Sequence, residues 1–317
     1  MERFRVAAVQ AAPVFLDRRG TIEKAVQLIR EAARGGAQVV VFPEAFIPCY
    51  PIWVWLLRPS DYDLVSSLHA ELLSQSVCLE SGDLDPLREV AREAGVIVGM
   101  GINERVSHAS GSMYNAYVVI GEEGSILGIR RKLVPTAPER MVWTQADGSS
   151  LRAIPTKHAA LGCLICWENY MPLARYALYA DGSELILAPT WDEGEVWEAS
   201  MRHIAKESRS YVVSCSSPLR REDIPEHHSF RSALGDGGEW FKSGGSLIAD
   251  PTGAIVAGRI RDEEGILYAD CDPALPSGQK WNLDVCGHYD RPDLFRLSVD
   301  RTPRSTLREE SLDRRDE

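Results

Sequence analysis

The chain has 317 residues, 44% of them hydrophobic, and a formal net charge of -11. That is enough apolar material for a large core and too acidic a balance for a surface that tracks phosphates, so nucleic acid is not an expected partner. No apolar run approaches the roughly 20 residues that cross a bilayer. Glu2, Arg3 and Arg5, set among apolar positions, do not form the pattern of a secretory leader. Seven widely spaced cysteines point to reduced thiols and a cytoplasmic setting.

In chain order, Phe4 to Gln10 predicts a strand and Thr21 to Ala33 a helix with Ile22, Ala25, Val26 and Ile29 on one face, stopped by Gly35 and Gly36. Val39 to Phe42 is a continuous apolar run suited to a strand buried on both faces, and it ends at Pro43-Glu44. Val96 to Gly101, Tyr114 to Ile120 and Ser125 to Arg130 predict strands, the last two joined as a hairpin through 121–124, so the sheet is not purely parallel. Leu161 to Ile165 leads to Cys166, and Pro172 to Ala180 follows as a helix. Leu185 to Ala188, a helix over Val196 to Ser208, and Tyr211 to Ser214 come next. Asp250 to Gly253 turns between the strands Ser246 to Ala249 and Ala254 to Ala257. No repeat or linker is visible, so 1–300 is expected to be one domain and 301–317 a charged, disordered tail.

Cys166 ends an apolar strand at a turn, where a thiol is presented rather than packed. The plain alternative is an inert buried cysteine, and for a lone cysteine that is the commoner case. Cys163 forms a C-x-x-C with Cys166, but no second pair completes a metal site, and residues three apart in a strand face opposite ways. A nucleophilic thiol needs a partner that takes its proton, and none of the seven histidines is an obvious one. Glu44 does that work if burial raises its pKa; otherwise it is a solvated loop carboxylate. Of Arg130, Arg131 and Lys132, one inward cation would lower the thiol pKa and stabilise an oxyanion, although such clusters are usually solvated. Glu139 would then hold that cation. Tyr50, Trp53 and Trp55, and likewise Trp191 and Trp197, suit either a pocket wall or a capped core.

Glu44 in Val-Phe-Pro-Glu-Ala-Phe, Lys132 in Arg-Arg-Lys-Leu-Val-Pro-Thr and Cys166 in Cys-Trp-Glu-Asn-Tyr-Met-Pro-Leu together resemble the Glu-Lys-Cys triad of the nitrilase superfamily. The resemblance runs from about Arg5 to Leu297, and it implies an α/β fold, a four-layer α-β-β-α sandwich. Trp167-Glu168-Asn169, Ala188 to Asp192 and Gly287 to Asp293 look like the nitrilase branch of the carbon-nitrogen hydrolases. The implied roles are Cys166 as nucleophile, Glu44 as base, Lys132 with the Trp167 backbone N–H stabilising charge, and Glu139 orienting the lysine. Tyr50, Trp53, Thr136, Asn169, Thr190 and Trp191 are the implied substrate-binding residues. The implied substrate is a small-molecule nitrile, the aromatic residues favouring an aryl or arylalkyl one, and no metal or organic cofactor is implied. A homo-oligomer, a dimer or a spiral of dimers, is expected, with Arg220 to Trp240 as the assembly insertion. An amidase or a cyanide-degrading enzyme on the same scaffold, and a catalytically silent assembly module, are the competing readings.

Overall fold

The computed structural model describes residues 2–107, 109–235 and 238–304. The first half places β1 (Phe4–Gln10), α1 (Arg18–Arg34), β2 (Val39–Val41), α2 (Tyr62–Gln75), α3 (Asp85–Ala94), β3 (Ile97–Arg105), β4 (Met113–Ile120) and β5 (Ile126–Arg131). The second half places β6 (Ile154–Pro155), β7 (Ala160–Cys163), α4 (Pro172–Ala180), β8 (Leu185–Thr190), α5 (Glu195–Ser208) and β9 (Tyr211–Ser216). After a ribbon of β10 (Pro218–Arg220) and β11 (Trp240–Ser243) come β12 (Leu247–Ala249), β13 (Ile255–Gly258), β14 (Gly265–Cys271) and α6 (Ala274–Gln279).

Two six-stranded sheets result, in the orders β14-β1-β2-β3-β4-β5 and β13-β12-β9-β8-β7-β6. Read from β14 and from β6, both sheets run through the same pairings: antiparallel, parallel, parallel, antiparallel, antiparallel. The topology therefore repeats although the sequence shows no self-similarity. Alternation along the strands builds the layers. Val6, Ala8, Val39 and Val41 point to the second sheet, where they meet Leu161, Leu185, Leu187, Val213 and Ile248. Ala7, Val9, Val40 and Val98 point outward onto Ile22, Ala25 and Ile29 of α1 and Leu87 and Val90 of α3. Ile186, Ala188 and Val212 on the far face of the second sheet pack on Trp197, Met201 and Ile204 of α5. This is the four-layer α-β-β-α sandwich that the triad motifs imply.

The predicted helix Pro172–Ala180 and strand Phe4–Gln10 are met residue for residue. Missing from the sequence reading were α2, α3, α6, β6, β10, β11 and β14. Helix α2 buries only Leu68 and Leu72, too thin a stripe for a clear 3.6-residue pattern. The first residues of the expected tail are tied to the body: Arg301 pairs with Asp181 at 2.7 Å and the Arg304 amide donates to Asp147 at 2.7 Å. The rest of the expected tail, 305–317, lies outside the described residues.

Candidate active site

Glu44 lies just beyond β2, where the chain leaves the sheet by a turn in which Ala45 takes φ 48°. A left-handed residue other than glycine costs conformational energy and persists where surrounding packing imposes it. Gly101 on β3 makes room for that turn. A Cβ there would sit 2.6 Å from the Ala45 nitrogen and closer still to the Pro43 carbonyl oxygen.

Lys132 follows β5 and is buried, as is Arg130, while Arg131 between them is half-exposed. The alternation of the strand thus turns two of three consecutive cations inward. The Lys132 ammonium donates to Glu44 Oε1 at 2.8 Å and to Glu139 Oε2 at 2.7 Å. It also lies 5.8 Å from the centre of the Trp143 ring. Glu139 is held by the Thr136 amide at 2.7 Å and by the Tyr50 hydroxyl at 2.8 Å, and that hydroxyl accepts from Trp55 Nε1 at 2.9 Å. Asn115, on β4, donates to Glu44 Oε1 at 2.7 Å. Glu44 Oε2 is buried and has no hydrogen-bond partner among the described residues.

Cys166 opens a short 3-10 turn (Cys166–Tyr170) with φ 53°, the second strained residue of the site. Asn169 secures this turn by donating to the Leu164 and Cys166 carbonyls at 2.7 and 2.9 Å. Thr190 Oγ1, at the end of β8, lies 3.2 Å from Cys166 Sγ. Glu168 staples the turn to the lysine strand: Oε2 accepts from the Ile165 amide at 2.8 Å, and Oε1 accepts from the Leu133 amide at 2.6 Å and from Arg130 at 2.8 Å.

Burial dominates the electrostatics. It pushes the Glu44 carboxyl above its ordinary range, with Lys132 pulling it back and Glu139 adding to the rise. It pushes the Cys166 thiol up to about 12, helped by Glu44 and opposed by Lys132. Desolvation works against the Lys132 ammonium, but Glu44, Cys166 and Glu139 together outweigh it and hold the group charged. Burial, then Glu139 and Glu44, keep the Tyr50 phenol protonated and hence a donor. The arrangement brings together a thiol, an ammonium and a carboxyl group whose basicity burial raises, the components of base-assisted thiol addition.

The carbon-nitrogen hydrolase family profile matches residues 5–277. An aliphatic nitrilase of Sinorhizobium fredii (strain HH103) is 40% identical over 313 residues, covering 97% of this chain and 99% of that protein. Nitrilase 2 of Arabidopsis thaliana is 36% identical over 318 residues, covering 96% and 90%. The chain belongs to the nitrilase branch of the carbon-nitrogen hydrolases. A carbon-nitrogen hydrolase from Helicobacter pylori G27 shares its fold with a TM-score of 0.71 at 21% identity, covering 92% of this chain and 96% of the other.

In this nitrilase, Glu44, Lys132 and Glu139 form one hydrogen-bonded group, and the charges of all three reach Cys166. Thr190 touches the thiol, and Trp191 stacks on Tyr50 at 4.4 Å with the rings 4° from parallel. Trp167 is half-exposed, its indole donating to Asp192 at 2.8 Å. Trp53 sits instead in an aromatic core, fully buried beside Phe15 and Phe230. Thr136 and Asn169 are tied up in the turns that hold Glu139 and Cys166.

Sequence reasoning missed Asn115, Trp143 and the pair Lys242–Glu193, and gave Glu168 a place in a motif but no role. Lys242 is buried, 5.6 Å from the centre of the Trp191 ring, and its Nζ is 3.2 Å from Glu193. A mid-strand asparagine in Met-Tyr-Asn-Ala-Tyr-Val was the one available signal, since such a group needs a partner when buried.

Proposed function

We propose that the site hydrolyses an organic nitrile to its carboxylic acid and ammonia by way of a thioimidate and a thioester on Cys166. The observation that carries this reading is the unpartnered Glu44 Oε2 on a carboxylate whose other oxygen is fixed by Lys132 and Asn115. Glu44 takes the thiol proton as Sγ bonds to the nitrile carbon, and the nitrile nitrogen gains a proton to give the thioimidate. A water deprotonated by Glu44 adds to that carbon, and the resulting tetrahedral adduct expels ammonia once its nitrogen is protonated. A second water cleaves the thioester, releasing the acid and restoring the thiol. Lys132, with the Trp167 amide, stabilises the negative charge that develops at each addition. Glu139 keeps the ammonium in place.

The substrate side chain is the finer part of the reading. Tyr50 and Trp191 stack on each other and Trp53 lies in the core, so fewer ring faces remain for an aryl group than the aromatic motifs promise. This favours a compact aliphatic nitrile over the expected aryl one, in keeping with the relative named an aliphatic nitrilase. Association into a homo-oligomer belongs to the same reading, supported by the exposed apolar residues Leu173, Tyr289, Leu294 and Phe295. A cytoplasmic setting, supported by seven free cysteines, belongs to it as well. No helix among the described residues is long and apolar enough to cross a membrane.

The test is product analysis for the purified protein and its Cys166→Ala variant on aliphatic, arylacetyl and aryl nitriles and their amides. Acid formation from nitriles, lost in the variant, supports the proposal. Turnover of amides alone overturns it in favour of an amidase, and a monodisperse monomer by light scattering removes the oligomer.

A further inference from the structure

Away from the thiol, three metal-ligating side chains converge on one point. Glu71 on α2, His227 and His228 present ligand atoms that all lie within 4.8 Å of one another. The two imidazole rings are 4.1 Å apart, although neighbours in sequence ordinarily diverge. The turn at 226–227 brings them together. His228 is buried, edge-on to Phe15 at 5.5 Å and tilted against Phe230 at 5.7 Å. Its Nε2 faces Glu71 Oε1 at 3.8 Å, beyond hydrogen-bond range, so a nitrogen and a carboxylate oxygen confront each other across a gap.

We propose that Glu71, His227 and His228 bind a divalent transition-metal ion of the zinc type. Two imidazoles and a carboxylate suit zinc, cobalt or nickel; magnesium and calcium call for oxygen ligands. Donors about 2.0–2.1 Å from a tetrahedral ion stand roughly 3.3 Å apart, and small rotations of Glu71 and His227 reach that spacing. Glu71 is partly exposed and His227 exposed, so both are free to make the adjustment while His228 stays fixed. Water completes the fourth position.

The ion is structural. The cluster shares no residue with the Glu44, Lys132 and Cys166 group, and the inference stands apart from the nitrile reading. It fastens the segment 224–234 to α2, and these already meet through Ile224, Phe230, Leu234, Leu68 and Leu72 in the cluster that also holds Tyr50 and Trp53.

Equilibrium dialysis of chelator-treated protein against zinc chloride tests the site, with thermal unfolding and the visible spectrum of the cobalt form as further readouts. His227→Ala and Glu71→Gln alter accessible positions and leave the packed His228 in place, while His203→Ala serves as a control outside the cluster. The expected result is about one zinc per chain at micromolar concentration, with a raised Tm. A cobalt spectrum without thiolate charge transfer is expected, as is an affinity at least roughly tenfold weaker in both cluster variants and unchanged in the control. The inference is overturned by no saturable binding up to roughly 100 µM. Binding that survives either cluster substitution, or a cobalt spectrum showing thiolate ligation, overturns it as well.

Discussion

The Glu168 carboxylate binds the Arg130 guanidinium at 2.8 Å with both side chains sealed from water. The two belong to the segments that carry Cys166 and Lys132, so one buried ion pair helps to set the distance between the thiol and the ammonium. Removing one partner of such a pair leaves an uncompensated charge in the interior, which costs about 3–5 kcal/mol. Glu168→Ala is therefore expected to lower the free energy of unfolding by about 3–5 kcal/mol and to depress kcat in whatever fraction remains folded. A loss below about 1 kcal/mol in chemical denaturation would show that the pair is incidental.

Asn115 donates to the charged form of Glu44, and such a bond lowers a carboxyl pKa. In the proposed mechanism Glu44 acts as base only when ionised, so kcat/KM should fall on the acid side as pH drops through its raised pKa. Asn115→Ala deletes a stabiliser of the anion, raises that pKa further and moves the acid limb to higher pH. A pH profile with an unmoved acid limb would remove Asn115 from the role.

Tyr50→Phe takes one donor from Glu139 and leaves Trp55 Nε1 without its acceptor while preserving the stack on Trp191. The expected cost in stability is about 1–3 kcal/mol. In activity it is roughly tenfold in kcat, because Lys132 loses part of the frame that aims it. If KM rises and kcat holds, Tyr50 contacts substrate instead of positioning the lysine.

Gly101→Ala pushes a methyl group into the Pro43-Glu44-Ala45 backbone. Overpacking of this kind costs about 1–3 kcal/mol. A base moved by an ångström loses on the order of 100-fold in rate. Kinetics with unchanged kcat in a folded Gly101→Ala protein would mean that the turn yields without displacing the carboxylate.

The parts of this molecule that sequence reveals are those governed by local pattern. Val39 to Val41 and Leu185 to Leu187 are apolar runs that make sense only between two layers, and both are buried on each face. The Glu44, Lys132 and Cys166 motifs point to a site only together, because three occur in order; no single one of them does. Arg130, Arg131 and Lys132 look like a solvated face, yet each meets an acid brought from elsewhere in the fold: Glu168, Glu104, and Glu44 with Glu139. Asn115 and Lys242 stayed hidden for the same reason, since neither has a local partner. Trp53 illustrates the opposite error, a pocket-like aromatic that tertiary packing claims for the core.

Glu44 and Lys132 hang from one sheet and Cys166 and Thr190 from the other, and the two sheets meet across a largely apolar interface that the buried Arg130–Glu168 pair bridges. A loosened state that kept every helix and strand but let the two layers slip would look nearly native by circular dichroism and yet be unable to turn over substrate. Turnover thus reads the seating of one half of the molecule on the other, a more exacting gauge of native packing than any spectrum of its backbone.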